Sequence, residues 1–114
     1  MQYTKVPDIN DLIDEIHQLI LTLSPTITMK EQPGFRSNNY MVGPSMKDIF
    51  CYIICYDQKA NLVFTEGVSL SKKFPSLKGT GKTHRHLTID STFIKDWPSL
   101  TKLIREAFKI QAQD

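Results

Sequence analysis

Asp48 to Tyr56, DIFCYIICY, is the stretch that most narrows what this chain can become. Read at a period of two, both of its faces are apolar: Ile49, Cys51, Ile53 and Cys55 on one, Phe50, Tyr52, Ile54 and Tyr56 on the other. Alternation of this kind predicts a central strand, paired along both edges. The run is also far too short to cross a bilayer, so it has to be buried by the protein itself.

The flanking segments supply cover for only one side. Near the start, Ile9, Leu12, Ile13, Ile16, Ile20 and Leu23 recur at spacings of three and four, which gathers them on one stripe of a helix. Asp8 is placed to cap it, Asp11 adds negative charge to its first turn, and Ser24-Pro25 stops it. A second helix is predicted from Asp96–Pro98 to about residue 111, with Leu100, Leu103, Ile104, Ala107 and Phe108 as its buried stripe.

Between the helices, Asp57 to Asn61 reads as a hairpin loop leading to a strand at Leu62 to Glu66, and Thr83 to Ile89 alternates as a further strand. Lys30 to Met41 predicts one or two short strands, interrupted at Pro33-Gly34 and at Ser37-Asn-Asn39. Leu70 to Leu77 predicts a helical turn over one end of the sheet. No helix between strands is long enough for a parallel crossover, so a mainly antiparallel sheet follows. The expected fold is α+β: a single-domain two-layer sandwich over residues 1–114, with the N-terminal and C-terminal helices packed on one face. The Phe50, Tyr52, Tyr56 side of the central strand then faces outward, as an apolar patch suited to a ligand or partner.

Composition is that of an ordinary globular chain, 114 residues with 40% hydrophobic and 23% charged. The N-terminus shows no apolar export signal, and Cys51 and Cys55 lie about 13 Å apart on one strand at roughly 3.3 Å per residue, too far to bridge. Both features suit a cytoplasmic protein with reduced thiols. The net charge of +2 conceals segregation: residues 67–89 hold Lys72, Lys73, Lys78, Lys82 and Arg85 with no acid, while residues 1–66 hold five Lys or Arg against eight Asp or Glu. A local positive potential of this kind attracts an anion, a nucleic acid or an acidic protein surface. With Phe74 as the one aromatic of residues 67–89 to stack a base, nucleic acid is the poorest fit of the three.

Within that basic segment, GTGKTHRH at 79–86 resembles half of a phosphate-binding loop. The glycine such a loop needs five residues before Gly81 is Ser76, and the residues that follow alternate like a strand instead of opening a helix. His84 and His86 project to one side about 6.6 Å apart at roughly 3.3 Å per residue, yet two imidazoles beside Lys82 and Arg85 do not make a metal site. What remains is a corner in which Gly79 and Gly81 free the backbone and Lys78, Lys82 and Arg85 supply charge. No nucleophile and base are paired by a recognisable motif, so the chain reads as non-catalytic.

Taken in order, PGF at 33–35, the aromatic central strand, FTEGVSLSKKFPSLKGTGKTHRHLTI from Phe64 to Ile89, and REAF in the last helix resemble the YdhG-like family, over roughly residues 8 to 110. The chain departs from that pattern at Gly34-Phe35-Arg36 and Asn38-Asn39, where the family carries a more aromatic segment. The resemblance implies a small cytoplasmic bacterial protein with an α+β sandwich and no established activity. One type within the family is frataxin-like and is regarded as an intracellular iron chaperone. The matching reading here places iron on Asp11, Asp14 and Glu15, where hard carboxylate oxygens bind it weakly.

The expectation is therefore a cofactor-free binding protein, monomer or homodimer. Its shallow pocket takes a small anionic ligand or an acidic partner, with Phe35, Tyr52, Tyr56 and Phe64 for apolar contact and Lys78, Gly79, Gly81, Lys82 and Arg85 for charge and backbone amides. The frataxin-like iron protein is the alternative.

Overall fold

The computed structural model describes residues 9–112 except positions 33, 35, 58, 91, 94 and 95. Helix α1 (Ile9–Thr22) buries Leu12, Ile13, Ile16 and Ile20, the stripe its spacing predicts; Asp8, the expected cap, lies outside the described residues. Helix α3 (Trp97–Ala112) buries Leu100, Leu103, Ile104 and Ala107. Asp96 starts it: its two carboxylate oxygens accept from the Ser99 amide at 3.2 Å and the Ser99 hydroxyl at 2.9 Å. This satisfies a donor that the first turn would leave open.

Among the described residues, five strands lie between them: β1 (Thr28–Gln32), β2 (Ser37–Met41), β3 (Ile49–Cys55), β4 (Ala60–Phe64) and β5 (Arg85–Ile89). They pair in chain order, β1-β2-β3-β4-β5, with every pairing antiparallel. The fold is thus an α+β two-layer sandwich with α1 and α3 on one face, and β3 is central as its composition requires. Ser37-Asn-Asn39 does not interrupt a strand; it is the first half of β2. The helical turn after β4 is α2 (Gly67–Leu70), earlier than the Leu70 to Leu77 stretch, because Phe74-Pro75 belongs to the turns that follow. No helix among the described residues is long and apolar enough to cross a membrane.

One core lies between sheet and helices. Cys51 and Ile53 of β3, Leu62 and Phe64 of β4 and Ile89 of β5 meet Leu12, Ile16, Ile20 and Ile104 there. Tyr40 joins them from β2; its hydroxyl and His17 Nδ1 of α1 share a 2.8 Å hydrogen bond. Burial pushes the Tyr40 phenol pKa up, so the pair is held neutral on the tyrosine side.

Strand parity alone would send Phe50 outward with Tyr52. Tyr40 pairs with Cys51 but Met41 pairs with Ile49, so Phe50 is the extra residue of a bulge and has no partner on β2. The bulge turns the ring inward: Phe50 is 1% exposed and meets Phe108 of α3 edge to face, with centroids 5.7 Å apart. Thr65 anchors the kink by donating its hydroxyl to the Ile49 carbonyl at 2.8 Å. The expected outward row of Phe50, Tyr52 and Tyr56 is therefore broken at its first member.

Several half-buried acidic residues are tied into turns and caps. Asp48 accepts from the Ser45 amide and hydroxyl, Asp90 from the Thr92 hydroxyl and amide, and Glu106 from Lys73 at 3.2 Å. These bonds hold all three below their ordinary pKa. A depressed folded-state pKa gives stability that is present above the unfolded value and disappears as pH falls through the folded one. The urea midpoint should accordingly drop as pH falls below about 5 and through the ordinary carboxylate range. Urea melts of the Asp48→Asn, Asp90→Asn double variant across that range should show a shallower decline than the parent; identical slopes would contradict the assignment.

Candidate functional site

The face of the sheet away from α1 and α3 is where a ligand can reach the strands. Directly opposed residues of antiparallel strands share a face, and the register opposes Ser37 to Ile54 and Asn39 to Tyr52 across β2 and β3, then Tyr52 to Val63 and Val63 to His86. The face is hollowed into a cavity of about 1150 Å³, with Ser37, Asn39, Tyr52 and Ile54 among its lining. Lys47 and Asp48 line it beside β3, Thr83 and His84 at the start of β5, and Gln111 at the end of α3. The side chain of Gln111 also donates to the Lys47 carbonyl at 2.7 Å, which pins the helix end to that wall.

Two of the lining side chains are polar and deeply buried: Asn39 is 3% exposed and Ser37 is 6% exposed. They form a chain with Gln32 of β1. Asn39 Nδ2 donates to Gln32 Oε1 at 2.9 Å, and the Ser37 hydroxyl lies 3.5 Å from Asn39 Oδ1. Polar groups in such a place keep their bonds within the protein or with whatever enters the cavity. Beside them the Tyr52 ring lies 6.1 Å from the His84 ring, centroid to centroid and tilted by 60°. Burial, with a smaller push from Tyr56, raises the Tyr52 phenol pKa, so it stays a neutral donor and acceptor. Thr83 Oγ1 sits 3.0 Å from His84 Nδ1.

Of the expected site residues, Tyr52 lies in this cavity. Tyr56, at the far end of β3, is 45% exposed and carries the Lys59 ammonium 5.7 Å over its ring, outside the lining. Phe64 contradicts its expected role: it pairs with Cys51 on the helix side and is 0% exposed. Phe35 lies outside the described residues.

The basic glycine corner is real as a surface but separate from the cavity. Lys78 bridges to β5, exchanging two backbone hydrogen bonds with His86 at 2.8 and 2.9 Å. Gly79 has φ of 132°, a conformation that only glycine adopts without strain; Gly81 has open space around it. Arg85 ties part of its guanidinium to the loop: Nη1 donates to the carbonyls of Gly81 and His84, both at 2.7 Å, and so closes the loop on itself. Lys82 is exposed. None of Lys78, Lys82 and Arg85 lines the cavity, which corrects the joint basic and aromatic pocket expected above. The segment contributes Thr83 and His84 instead.

Asp11, Asp14 and Glu15 lie on the exposed face of α1, as the helix period requires. Among the described residues no three His, Cys, Asp or Glu side chains come together as a metal-holding group. Cys51 is buried, and desolvation pushes its thiol pKa up, a setting that suppresses nucleophilic attack.

Ser37, Asn39 and Gln32 were missed from sequence because a short polar run reads as a loop. The available signal was positional: Ser37 and Asn39 are two apart, hence on one side of a strand, opposite Asn38 and Tyr40.

No family model matches the chain, and no curated protein or solved structure matches it. Fold and site together define an α+β sandwich with one sheet face sealed by helices and the other hollowed around buried amide and hydroxyl groups.

Proposed function

We propose that the chain is a small cytoplasmic binding protein of the YdhG-like kind, without catalytic chemistry of its own, and that its ligand lodges on the open sheet face. The observation that carries this is the cavity of about 1150 Å³ with Asn39 and Ser37 buried in its lining. Small-ligand sites combine apolar surface with fixed polar groups, and Tyr52 and Ile54 with Asn39 and Ser37 supply both in a lining that is otherwise mixed. Fixed amide, hydroxyl and aromatic groups arranged this way support the holding of a molecule.

The test is a fragment screen read by amide chemical shifts on the labelled protein. Binders at about millimolar affinity, a normal range for fragments, should move the signals of Asn39, Tyr52, Ile54 and His84 together. Tyr52→Ala should weaken them about tenfold, the cost of one aromatic contact of roughly 1.4 kcal/mol. A screen whose hits all map to the Lys78 to Lys82 corner, or to no site, would rule the open face out.

A further inference from the structure

The ligand's chemical class follows from how Asn39 is held, granted that the open face is the binding site. We infer that the cavity takes a neutral, planar molecule with a carboxamide or lactam edge, a hydrogen-bond donor and acceptor side by side, paired by Asn39 and flanked by the Tyr52 and His84 rings.

The first reason is capacity. An asparagine amide has two N–H groups and room for two bonds at its oxygen. Among the described residues, Asn39 uses one N–H on Gln32 and one oxygen position on Ser37. One donor and one acceptor position of that amide remain for a group entering the cavity, and the complementary partner is another amide-like edge. A carboxylate offers acceptors only and would leave the Asn39 oxygen facing an oxygen.

Charge gives the second. Lys47 in the lining is outnumbered by two carboxylates, Asp48 and Glu66, while Lys78, Lys82 and Arg85 stand outside it. An anion entering here would lose water without gaining a committed cation, and that desolvation is costly. Shape gives the third reason. Tyr52 lies directly across the strand pair from Asn39, so a ring held by its edge on the amide extends over an aromatic surface, with the tilted His84 ring as a wall.

Nicotinamide and nicotinate separate these ideas, since they share a ring and differ in amide against carboxylate; uracil serves as a lactam probe. Titrations followed by amide shifts should show nicotinamide and uracil moving Asn39, Tyr52 and His84, with nicotinate weaker by about tenfold. Asn39→Leu should weaken both neutral probes by about the same factor. Should that variant not fold, the nicotinamide and nicotinate comparison on the parent protein decides alone. Nicotinate binding as tightly as nicotinamide, or an unchanged affinity in folded Asn39→Leu, overturns the inference. Fragments that fill the cavity but carry no amide edge would overturn it while leaving the binding function intact; a cavity that binds nothing would remove both.

Discussion

Phe50→Ala is expected to destabilise the protein by about 3–5 kcal/mol, the range for removing a buried aromatic ring, while Tyr52→Ala should cost about 1 kcal/mol. The two residues are near neighbours on one strand and would share a face in a regular strand, so a uniform sheet would make them comparable. The bulge between Tyr40 and Met41 on the β2 register separates them. Phe50 goes to the core against Phe108, and Tyr52 stays half-buried on the open face beside His84. Urea melts of both variants would show the difference directly as midpoint shifts at a shared slope. Equal losses would mean that Phe50 is not the turned-in residue. The open face would then carry a continuous aromatic row and a different cavity.

Gly67→Ala is the second large effect, at about 3 kcal/mol, the upper part of the range for forcing atoms into packed space. A Cβ on Gly67 would collide with the Cβ and backbone nitrogen of Arg85 at the start of β5. Backbone cannot step aside as a side-chain tip can. The contact is reinforced by the Val68 amide, which donates to the Thr83 carbonyl at 2.9 Å. The four-residue helix α2 is thereby seated on the strand that brings Thr83 and His84 to the cavity. Gly81→Ala is the matched control: a Cβ there meets nothing within 4 Å, so the change should stay within about 0.5 kcal/mol. Gly79→Ala should fall between the two, about 1–2 kcal/mol, from its positive φ alone. Thermal melts of the three variants should rank them in that order. A tolerated Gly67→Ala would mean that α2 does not rest on β5, and the position of His84 would lose its support.

The same contact ties stability to the site. Residues 78–82 could look like a binding loop from their glycines and lysines, but their visible work is structural. Lys78 adds backbone bonds to the outer edge of β5, Gly79 makes the turn, and Arg85 draws the loop closed. The bridge occupies the backbone groups of His86 at that edge, where unpaired groups could template aggregation. The opposite edge, β1, carries Lys30 and Glu31, charges that serve the same end.

Local patterning made the frame legible. Spacings of three and four define α1 and α3 because a helix repeats every 3.6 residues, and the doubly apolar run Ile49 to Tyr56 could only be central in a sheet. The lack of a crossover helix made antiparallel pairing follow. Tertiary structure decided which side chains face which way where the count of residues differs between paired strands. The bulge at Phe50 exists only relative to β2, and the inward side of Phe64 follows from its pairing with Cys51. It also decided what is buried. Ser37 and Asn39 are ordinary loop residues by type, and they become the polar heart of a cavity because β2 is brought between β1 and β3. Arg85 is a free charge in the sequence and a bound one in the fold, since carbonyls that can accept from it converge only after the Gly79 turn is made. Periodicity is a property of a segment, whereas burial, register and hydrogen-bond partnership belong to pairs of segments, which one chain read end to end does not display.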